Sequence, residues 1–282
     1  MALVWGLPAL YLVLIGLLWA FQERITFPAP RSALPDPQDV LGYGELVELT
    51  MRDGTRLRGW YLTPKDGERR RKTPETSGDL RRPAPSFAAL LWFYGNGETV
   101  GAIWPIIRDF RPPNAALLVL DYPGYGASGG RAGETAVYEA ADLAYQELLT
   151  HPAVDRRRIY VYGRSLGSAV ATHAAVTHDV AGLILESPFT SAREMASRHY
   201  RIVPGFLVRL GLDNMTNIRR IRCPILIFHG TADKLVPIEM GRALAAAAAG
   251  PVEFVMIEGA GHNDTYDIGG KIYKDKLAAF VK

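Results

Sequence analysis

Apolar and polar positions divide the sequence into three regions that predict different structures. Residues 2–21 are apolar and uncharged, residues 23–42 are rich in proline, and beyond residue 43 short apolar runs alternate with longer mixed segments. Short apolar or alternating runs are typical of β-strands, whereas the longer segments between them are typical of helices. The predicted strands cover residues 45–51, 56–62, 87–94, 115–120, 158–162, 181–185, 224–228 and 252–257, and the predicted helices cover residues 98–110, 132–149, 165–177, 237–249 and 269–281.

The order of these elements predicts the fold class. The first two strands flank Asp53-Gly54, a turn pair that favours an antiparallel hairpin. The later strands alternate with helices, a pattern typical of a parallel sheet that helices cover on both faces. We therefore predict an α/β domain over residues 43–282 with a mostly parallel, eight-stranded sheet. In such sheets the functional groups gather beyond the carboxyl ends of the strands.

The first region is long enough to cross a membrane. A helix needs about 20 apolar residues to span the hydrocarbon core, and Ala2–Phe21 provides them, with Trp5 and Trp19 near its ends. The alternative is a cleaved secretory signal, which has a basic start and a shorter apolar core. We expect an uncleaved, single-pass transmembrane anchor over residues 1–22. The two arginines that follow it weakly favour a cytoplasmic domain by the positive-inside rule.

Composition adds a tether and a loop and excludes several classes of function. Prolines predict an extended tether over residues 23–42. Residues 64–86 are charged and nearly devoid of apolar side chains, and therefore predict a mobile loop that is either a solvated insertion or attracted to anionic lipid headgroups.

The net charge of +3 gives no reason to expect nucleic acid, and the single Cys223 cannot form an intrachain disulfide. Without a metal-ligand cluster or a phosphate-binding glycine loop in the sequence, we expect no cofactor.

The segment Gly163-Arg164-Ser165-Leu166-Gly167 carries the clearest chemical signal. It lies between a predicted strand and a predicted helix, which is the setting of a nucleophile elbow. The turn must be sharp enough to lift the serine hydroxyl off the end of the sheet, and side chains at the two glycines would collide with neighbouring elements. The segment therefore predicts Ser165 as a catalytic nucleophile.

A serine hydroxyl needs a base to take its proton and an acid to orient that base. Of the six histidines, only His262 combines a late strand end with a flexible loop, Gly259-Ala260-Gly261. Asp233 also follows a strand and preserves the chain order serine, acid, histidine. Two alternatives stay open: Asp233 caps the helix that starts near Pro237, or Glu186 is the acid instead.

Acyl transfer at a serine also needs donors for an oxyanion. The backbone N–H of Leu166, directly after the nucleophile, is the first predicted donor. The second is the backbone N–H of Asn96, because Gly95 and Gly97 leave the main chain there free to approach the substrate. These two groups complete the predicted site.

Five motifs follow one another in a specific order after residue 42. They are residues 121–130 (DYPGYGASGG), 162–167 (YGRSLG), 186–191 (ESPFTS), 229–233 (HGTAD) and 261–264 (GHND). Together they resemble the α/β-hydrolase superfamily of serine hydrolases, and most closely its single-pass, membrane-anchored abhydrolase-domain branch, which is related to serine aminopeptidase and prolyl-oligopeptidase-like hydrolases. The resemblance implies an α/β-hydrolase fold with a small helical cap and a triad of Ser165, Asp233 and His262. The sequence departs from the family at Tyr94, where histidine is usual. We interpret residues 121–130 as a structural turn that borders the site.

Residues 188–222 stand where this family carries its cap. Their apolar side chains either form the wall of an acyl pocket or only pack the cap onto the sheet. The residues concerned are Phe189, Met195, Tyr200, Ile202, Val203, Phe206, Leu207, Val208 and Leu210. With the anchor, they favour a serine hydrolase of carboxylic esters or thioesters of lipid-like or acylated substrates. The alternatives are a peptidase or amidase with the same triad and a non-catalytic membrane-bound scaffold.

Overall fold

The computed structural model describes residues 2–64, 86–200 and 203–282, with the backbone alone for residues 2–7. The strands in these ranges are β1 (Glu45–Thr50), β2 (Arg56–Leu62), β3 (Phe87–Phe93), β4 (Ala115–Leu120), β5 (Val154–Arg164), β6 (Gly182–Glu186), β7 (Ile225–Gly230) and β8 (Val252–Ile257). They form one sheet in the order β1-β2-β4-β3-β5-β6-β7-β8. β2 pairs antiparallel with β1 and β4, and the other neighbours pair parallel. The prediction of a mostly parallel, eight-stranded α/β sheet is confirmed.

The helices of the described ranges are α1 (Ala2–Ala20), α2 (Gln22–Thr26), α3 (Pro37–Leu41), α4 (Val100–Phe110), α5 (Glu134–Thr150), α6 (Leu166–Thr177), α7 (Ala192–His199), α8 (Asn214–Ile218), α9 (Ile238–Ala247) and α10 (Thr265–Phe280), and a short 3₁₀ turn covers Gly205–Leu207. Among them, α5, α6, α9 and α10 pack against the central strands. Every residue of β4, β6 and β7 is buried, which requires cover on both faces of the sheet. The core therefore supports the carboxyl ends of the central strands, where the site lies.

The proline-rich segment is less extended than predicted. Residues 27–36 have no regular structure, but α3 begins at Pro37. The fixed φ of proline suits the first residue of a helix, and the Asp36 carboxylate accepts a hydrogen bond of 2.8 Å from the Gln38 N–H. Proline therefore starts a helix here because a capping residue precedes it.

The transmembrane anchor predicted over residues 1–22 is not confirmed. Among the helices whose residues the structure describes, none is long and apolar enough to cross a membrane. The end of this region instead contacts the predicted cap: the Gln22 side-chain amide donates to the Leu207 carbonyl (2.6 Å), and the Arg209 N–H donates to the Gln22 side chain (2.8 Å). The mobile loop predicted over residues 64–86 lies outside the described residues except for its two ends.

Candidate active site

Ser165 lies in a strained turn between β5 and α6. Its φ of 49° and ψ of −114° are rarely adopted by a residue with a side chain. The turn is held by hydrogen bonds from the Ser165 N–H to the Glu186 carbonyl (2.9 Å) and from the Ser168 N–H to the Ser165 carbonyl (2.9 Å). Strain of this kind persists only where the surrounding structure enforces it, and it is typical of functional sites.

The two glycines of the turn allow close packing against neighbouring main chain. A Cβ atom on Gly163 would lie 2.6 Å from the Ala171 side chain and closer still to the Gly167 carbonyl oxygen. A Cβ atom on Gly167 would lie 2.6 Å from the Tyr94 carbonyl oxygen. Both positions therefore exclude any larger residue. This is the collision with neighbouring elements that the two glycines of the pattern predict.

His262 connects the nucleophile to the acid. Its Nε2 lies 2.9 Å from the Ser165 hydroxyl oxygen, and its Nδ1 lies 2.8 Å from Asp233 Oδ2. With the Nδ1 proton donated to the carboxylate, Nε2 is left to accept the serine proton. The structure thus brings together three side chains that are 97 and 29 residues apart in the sequence.

Asp233 is fully buried, and its carboxylate is surrounded by donors. Oδ1 accepts hydrogen bonds from the N–H groups of Leu235 (3.0 Å) and Val236 (2.8 Å). Burial opposes ionisation, but the hydrogen bonds from His262 and Val236 outweigh it and hold the Asp233 pKa below its usual value. The helix-cap alternative fails because α9 begins after Pro237, so this carboxylate serves the histidine and the turn before the helix.

Glu186, the alternative acid, is occupied elsewhere. Its Oε2 accepts hydrogen bonds from the hydroxyls of Tyr162 and Tyr273, the latter at 2.6 Å. Its Oε1 lies 3.3 Å from Arg164 Nε. Its contacts in the described part of the chain do not include His262, so Asp233 is the carboxylate that reaches the imidazole.

The backbone N–H groups of Leu166 and Asn96 are the two predicted oxyanion donors. Leu166 is the first residue of α6, so its N–H has no acceptor one turn earlier in the helix. Within the described ranges, neither this N–H nor that of Asn96 donates to a protein acceptor. The Tyr125 hydroxyl donates to the Asn96 side-chain oxygen (2.9 Å) and so fixes the loop after β3. Both N–H groups therefore remain available to a ligand.

The tyrosine that departs from the family pattern binds this loop to the structural turn at residues 121–130. The Tyr94 hydroxyl donates to Asp121 Oδ1 (3.1 Å) and accepts from the Tyr122 N–H (2.9 Å), and the Tyr122 hydroxyl donates to the Tyr94 carbonyl (2.9 Å). Burial raises the Tyr94 pKa well above its usual value, so the hydroxyl stays protonated. These hydrogen bonds anchor the loop that carries the predicted oxyanion donor.

Sequence reasoning assigned no role to Arg164, Glu98 or Tyr125. Each lies within or beside a motif that was already singled out, and each bonds a loop of the site. Arg164 and Glu98 are 66 residues apart, and Tyr125 and Asn96 are 29 apart, so the local pattern gives no sign of these two contacts. A charged residue inside an otherwise small and apolar turn, as at Arg164, was the one available clue.

Comparison with known proteins shows the family of the chain. The model of the family described as serine aminopeptidase, S33, matches residues 84–212. The uncharacterized protein Rv2307c of Mycobacterium tuberculosis is 34% identical over 270 residues, which cover 95% of this chain and 89% of that protein. Human alpha/beta hydrolase domain-containing protein 17B is 33% identical over 193 residues, which cover 68% of this chain and 65% of that protein. The chain belongs to the α/β-hydrolase superfamily.

A solved structure shows the same hydrolase fold. The Pyrococcus furiosus esterase Pf2001 superposes on this hydrolase with a TM-score of 0.68, covers 89% of this chain and 96% of its own, and is 18% identical. Identity at that level supports the fold and not the substrate. In the described part of the hydrolase, no group of three or more histidine, cysteine or acidic side chains could hold a metal ion.

Proposed function

We propose that the protein is a serine hydrolase that cleaves carboxylic esters or thioesters through an acyl-enzyme. The observation that supports this most directly is the pair of hydrogen bonds from His262, to Ser165 at 2.9 Å and to Asp233 at 2.8 Å. Nucleophile, base and orienting acid at such distances form a competent system for acyl transfer.

The reaction begins when Ser165 Oγ attacks the acyl carbonyl carbon and His262 Nε2 takes the hydroxyl proton. The tetrahedral oxyanion then lies between the N–H groups of Leu166 and Asn96. His262 gives its proton to the leaving alcohol or thiol as the carbonyl re-forms, which leaves Ser165 acylated. A water molecule, deprotonated by the same imidazole, attacks the acyl-enzyme and releases the carboxylic acid, so that serine regains its proton.

An apolar cavity beside the cap is the candidate site for the acyl group, although Ser165, Asp233 and His262 are not among its lining residues. It has a volume of about 90 Å³ and lies between the N-terminal helices and the cap. Its lining includes Tyr200, Val203, Leu207, Val208 and Leu210 of the predicted cap wall, together with Ile15, Leu18, Trp19, Ile25 and Ala196. Part of the predicted wall therefore lines this cavity, together with residues of α1, α2 and α7. Phe206, in contrast, is 79% exposed and takes no part.

The reaction class is tested with a fluorophosphonate probe and two substrate series. We expect the probe to label the full chain and to fail on Ser165→Ala, whose kcat should fall by about 10⁶-fold. p-Nitrophenyl esters and acyl thioesters of increasing chain length should be hydrolysed faster than aminoacyl anilides. Absence of labelling in the folded chain would favour the scaffold alternative and refute the proposal.

The acyl cavity is tested by filling it. Phenylalanine in place of Ala196, which lines the cavity on α7, should shift the preferred ester to a shorter acyl chain. Phenylalanine at the adjacent, exposed Ser197 is the matched control and should leave the preference unchanged. An unchanged preference in Ala196→Phe would mean that the acyl group lies elsewhere.

A second candidate is a serine peptidase or amidase with the same triad. The observation that favours it is the matching family model, which is described as serine aminopeptidase. The same two substrate series decide between the candidates, because cleavage of anilides without cleavage of esters would select the peptidase.

A further inference from the structure

Arg164, which directly precedes the nucleophile, contacts three separate segments of the site. Its side chain is only 8% exposed. One terminal nitrogen donates to Glu98 Oε1, and the other donates to the His262 carbonyl (3.0 Å) and to the Asn263 side-chain oxygen (2.8 Å). Its Nε lies 3.3 Å from Glu186 Oε1. One rigid, planar group therefore joins the loop after β3, the end of β6 and the loop after β8.

The contact with Glu98 leads to the predicted oxyanion hole. While Glu98 Oε1 accepts from Arg164, its Oε2 accepts from the Gly95 N–H at 2.6 Å. Gly95 directly precedes Asn96, whose N–H is the second predicted donor. A Cβ atom on Gly95 would lie 2.9 Å from an Arg164 nitrogen, so the loop packs closely on the guanidinium.

The contacts with the loop after β8 fix the backbone of the base. The hydrogen bond to the carbonyl of His262 acts on the main chain of the residue whose imidazole bonds Ser165. Asn263 adds a second contact on the same loop. The base is thus held at its side chain by Asp233 and at its main chain by Arg164.

A buried ionic group of this kind is not explained by stability alone. Replacing a buried ion pair with apolar residues is often neutral or stabilising, because desolvation offsets the attraction. Burial opposes the charge of Arg164, but the carboxylates of Glu186 and Glu98 raise its pKa above the usual value. The arginine fork is rigid and directional, whereas lysine is a single flexible donor. These properties suit a side chain that fixes the distances between the loops it bonds.

We propose that Arg164 is a positioning residue that couples the oxyanion loop to the base loop, so that the two N–H donors and the imidazole keep one fixed relative geometry. The proposal rests on the proposed function. It implies an effect on the transition state with little effect on substrate binding, because in the structure the guanidinium is bonded to protein groups of both loops.

The test uses the full chain and the p-nitrophenyl ester that the wild type hydrolyses fastest. Arg164→Lys should lower kcat by about 100-fold, the cost of displacing reacting groups by about 1 Å, with KM within twofold of the wild type. Glu98→Gln, which leaves one oxygen acceptor where the Gly95 N–H and Arg164 now use two, and Asn263→Ala should each lower kcat by less. Arg158→Lys, on the same strand but more exposed, is the matched control and should retain the wild-type kcat.

Double variants separate coupling from independent effects. If Arg164 acts through the two loops, Arg164→Lys combined with Glu98→Gln or with Asn263→Ala should lose no more kcat than Arg164→Lys alone. Losses that multiply, or a rise in KM with kcat unchanged, would overturn the proposal. Should Arg164→Lys fail to fold, Glu98→Gln and Asn263→Ala decide it, since a wild-type kcat in both would refute the coupling. A wild type that hydrolyses no ester refutes the proposed function instead.

Discussion

A Cβ atom on Gly167 would lie 2.6 Å from the carbonyl oxygen of Tyr94, so the first turn of α6 meets the end of β3 main chain to main chain. Leu166 and Asn96 lie one and two residues from these contact points. The close approach thus brings together the two segments that carry the predicted oxyanion donors. Glycine at position 167 is required for this packing, because no side chain fits.

Gly167→Ala should therefore be strongly destabilising. The added methyl meets main-chain atoms on both β3 and the following loop, which cannot move without disturbing the sheet, so we expect a loss of about 3 kcal/mol in the free energy of unfolding. Urea unfolding measures this directly. Gly205→Ala is the control, because its nearest neighbours would lie at 3.6 Å. Equal stability of the two variants would contradict the steric argument.

The oxyanion assignment predicts a small effect for the Asn96 side chain. If the main-chain N–H is the donor, Asn96→Ala removes only the hydrogen bond from the Tyr125 hydroxyl. One such bond contributes about 1 kcal/mol, so kcat should fall about fivefold. Tyr125→Phe also removes the hydrogen bond of this hydroxyl with the Ala29 backbone, so it should lose at least as much kcat, and the double variant should be no worse than Tyr125→Phe. A loss of about 10²-fold or more in Asn96→Ala alone, the cost of deleting a direct donor, would assign the side-chain amide instead.

Local signals explain which features could be predicted from the sequence. Continuous apolar runs predicted the strands, and the glycines around Ser165 predicted the sharp turn, because each depends on neighbouring residues. The start of α10 differs from the prediction: the pattern predicts a helix from Gly269, but the helix begins at Thr265 and Gly270 adopts a φ of 45° within it. The role of Arg164 could not be predicted, because its partners Glu98 and His262 are 66 and 98 residues away.

Asp233→Asn should nearly abolish turnover while preserving the fold. Asparagine keeps the size of the side chain but cannot stabilise the imidazolium, and its amide can bind the wrong tautomer of His262. A loss of about 10⁴-fold in kcat is expected from the same change in other triads. Steady-state kinetics and the rate of fluorophosphonate labelling both measure the effect.

The control for that variant is Asp267→Asn, an exposed carboxylate on α10. It should retain wild-type kcat. Glu186→Gln offers a further comparison, since its carboxylate contacts Tyr162, Tyr273 and Arg164 but not the base. If Glu186→Gln lost as much kcat as Asp233→Asn with no loss of stability, the acid would have to be reassigned.

His229 makes the stability of the fold depend on pH. Its ring is fully buried, and the Nε2–H donates to the Val236 carbonyl at 2.8 Å. Burial lowers its pKa, against the opposing effects of this hydrogen bond and of Asp233. Between the lowered pKa of the folded state and the ordinary histidine pKa of about 6.5, the unfolded chain therefore binds a proton that the folded chain does not. The free energy of unfolding should fall as the pH drops through this interval, by at most about 1.4 kcal/mol per pH unit for this one proton.

His229→Gln separates this titration from packing. Glutamine keeps an N–H donor for Val236 but does not titrate, so the dependence of unfolding free energy on pH should become shallower. Urea unfolding at pH 8, where the histidine is neutral in both states, measures the packing cost alone. The same measurement at pH 5 also includes the free energy of proton uptake by the unfolded chain. His173, whose pKa burial also lowers, accounts for part of the slope that remains. An identical slope in wild type and variant would show that His229 takes up its proton equally in both states.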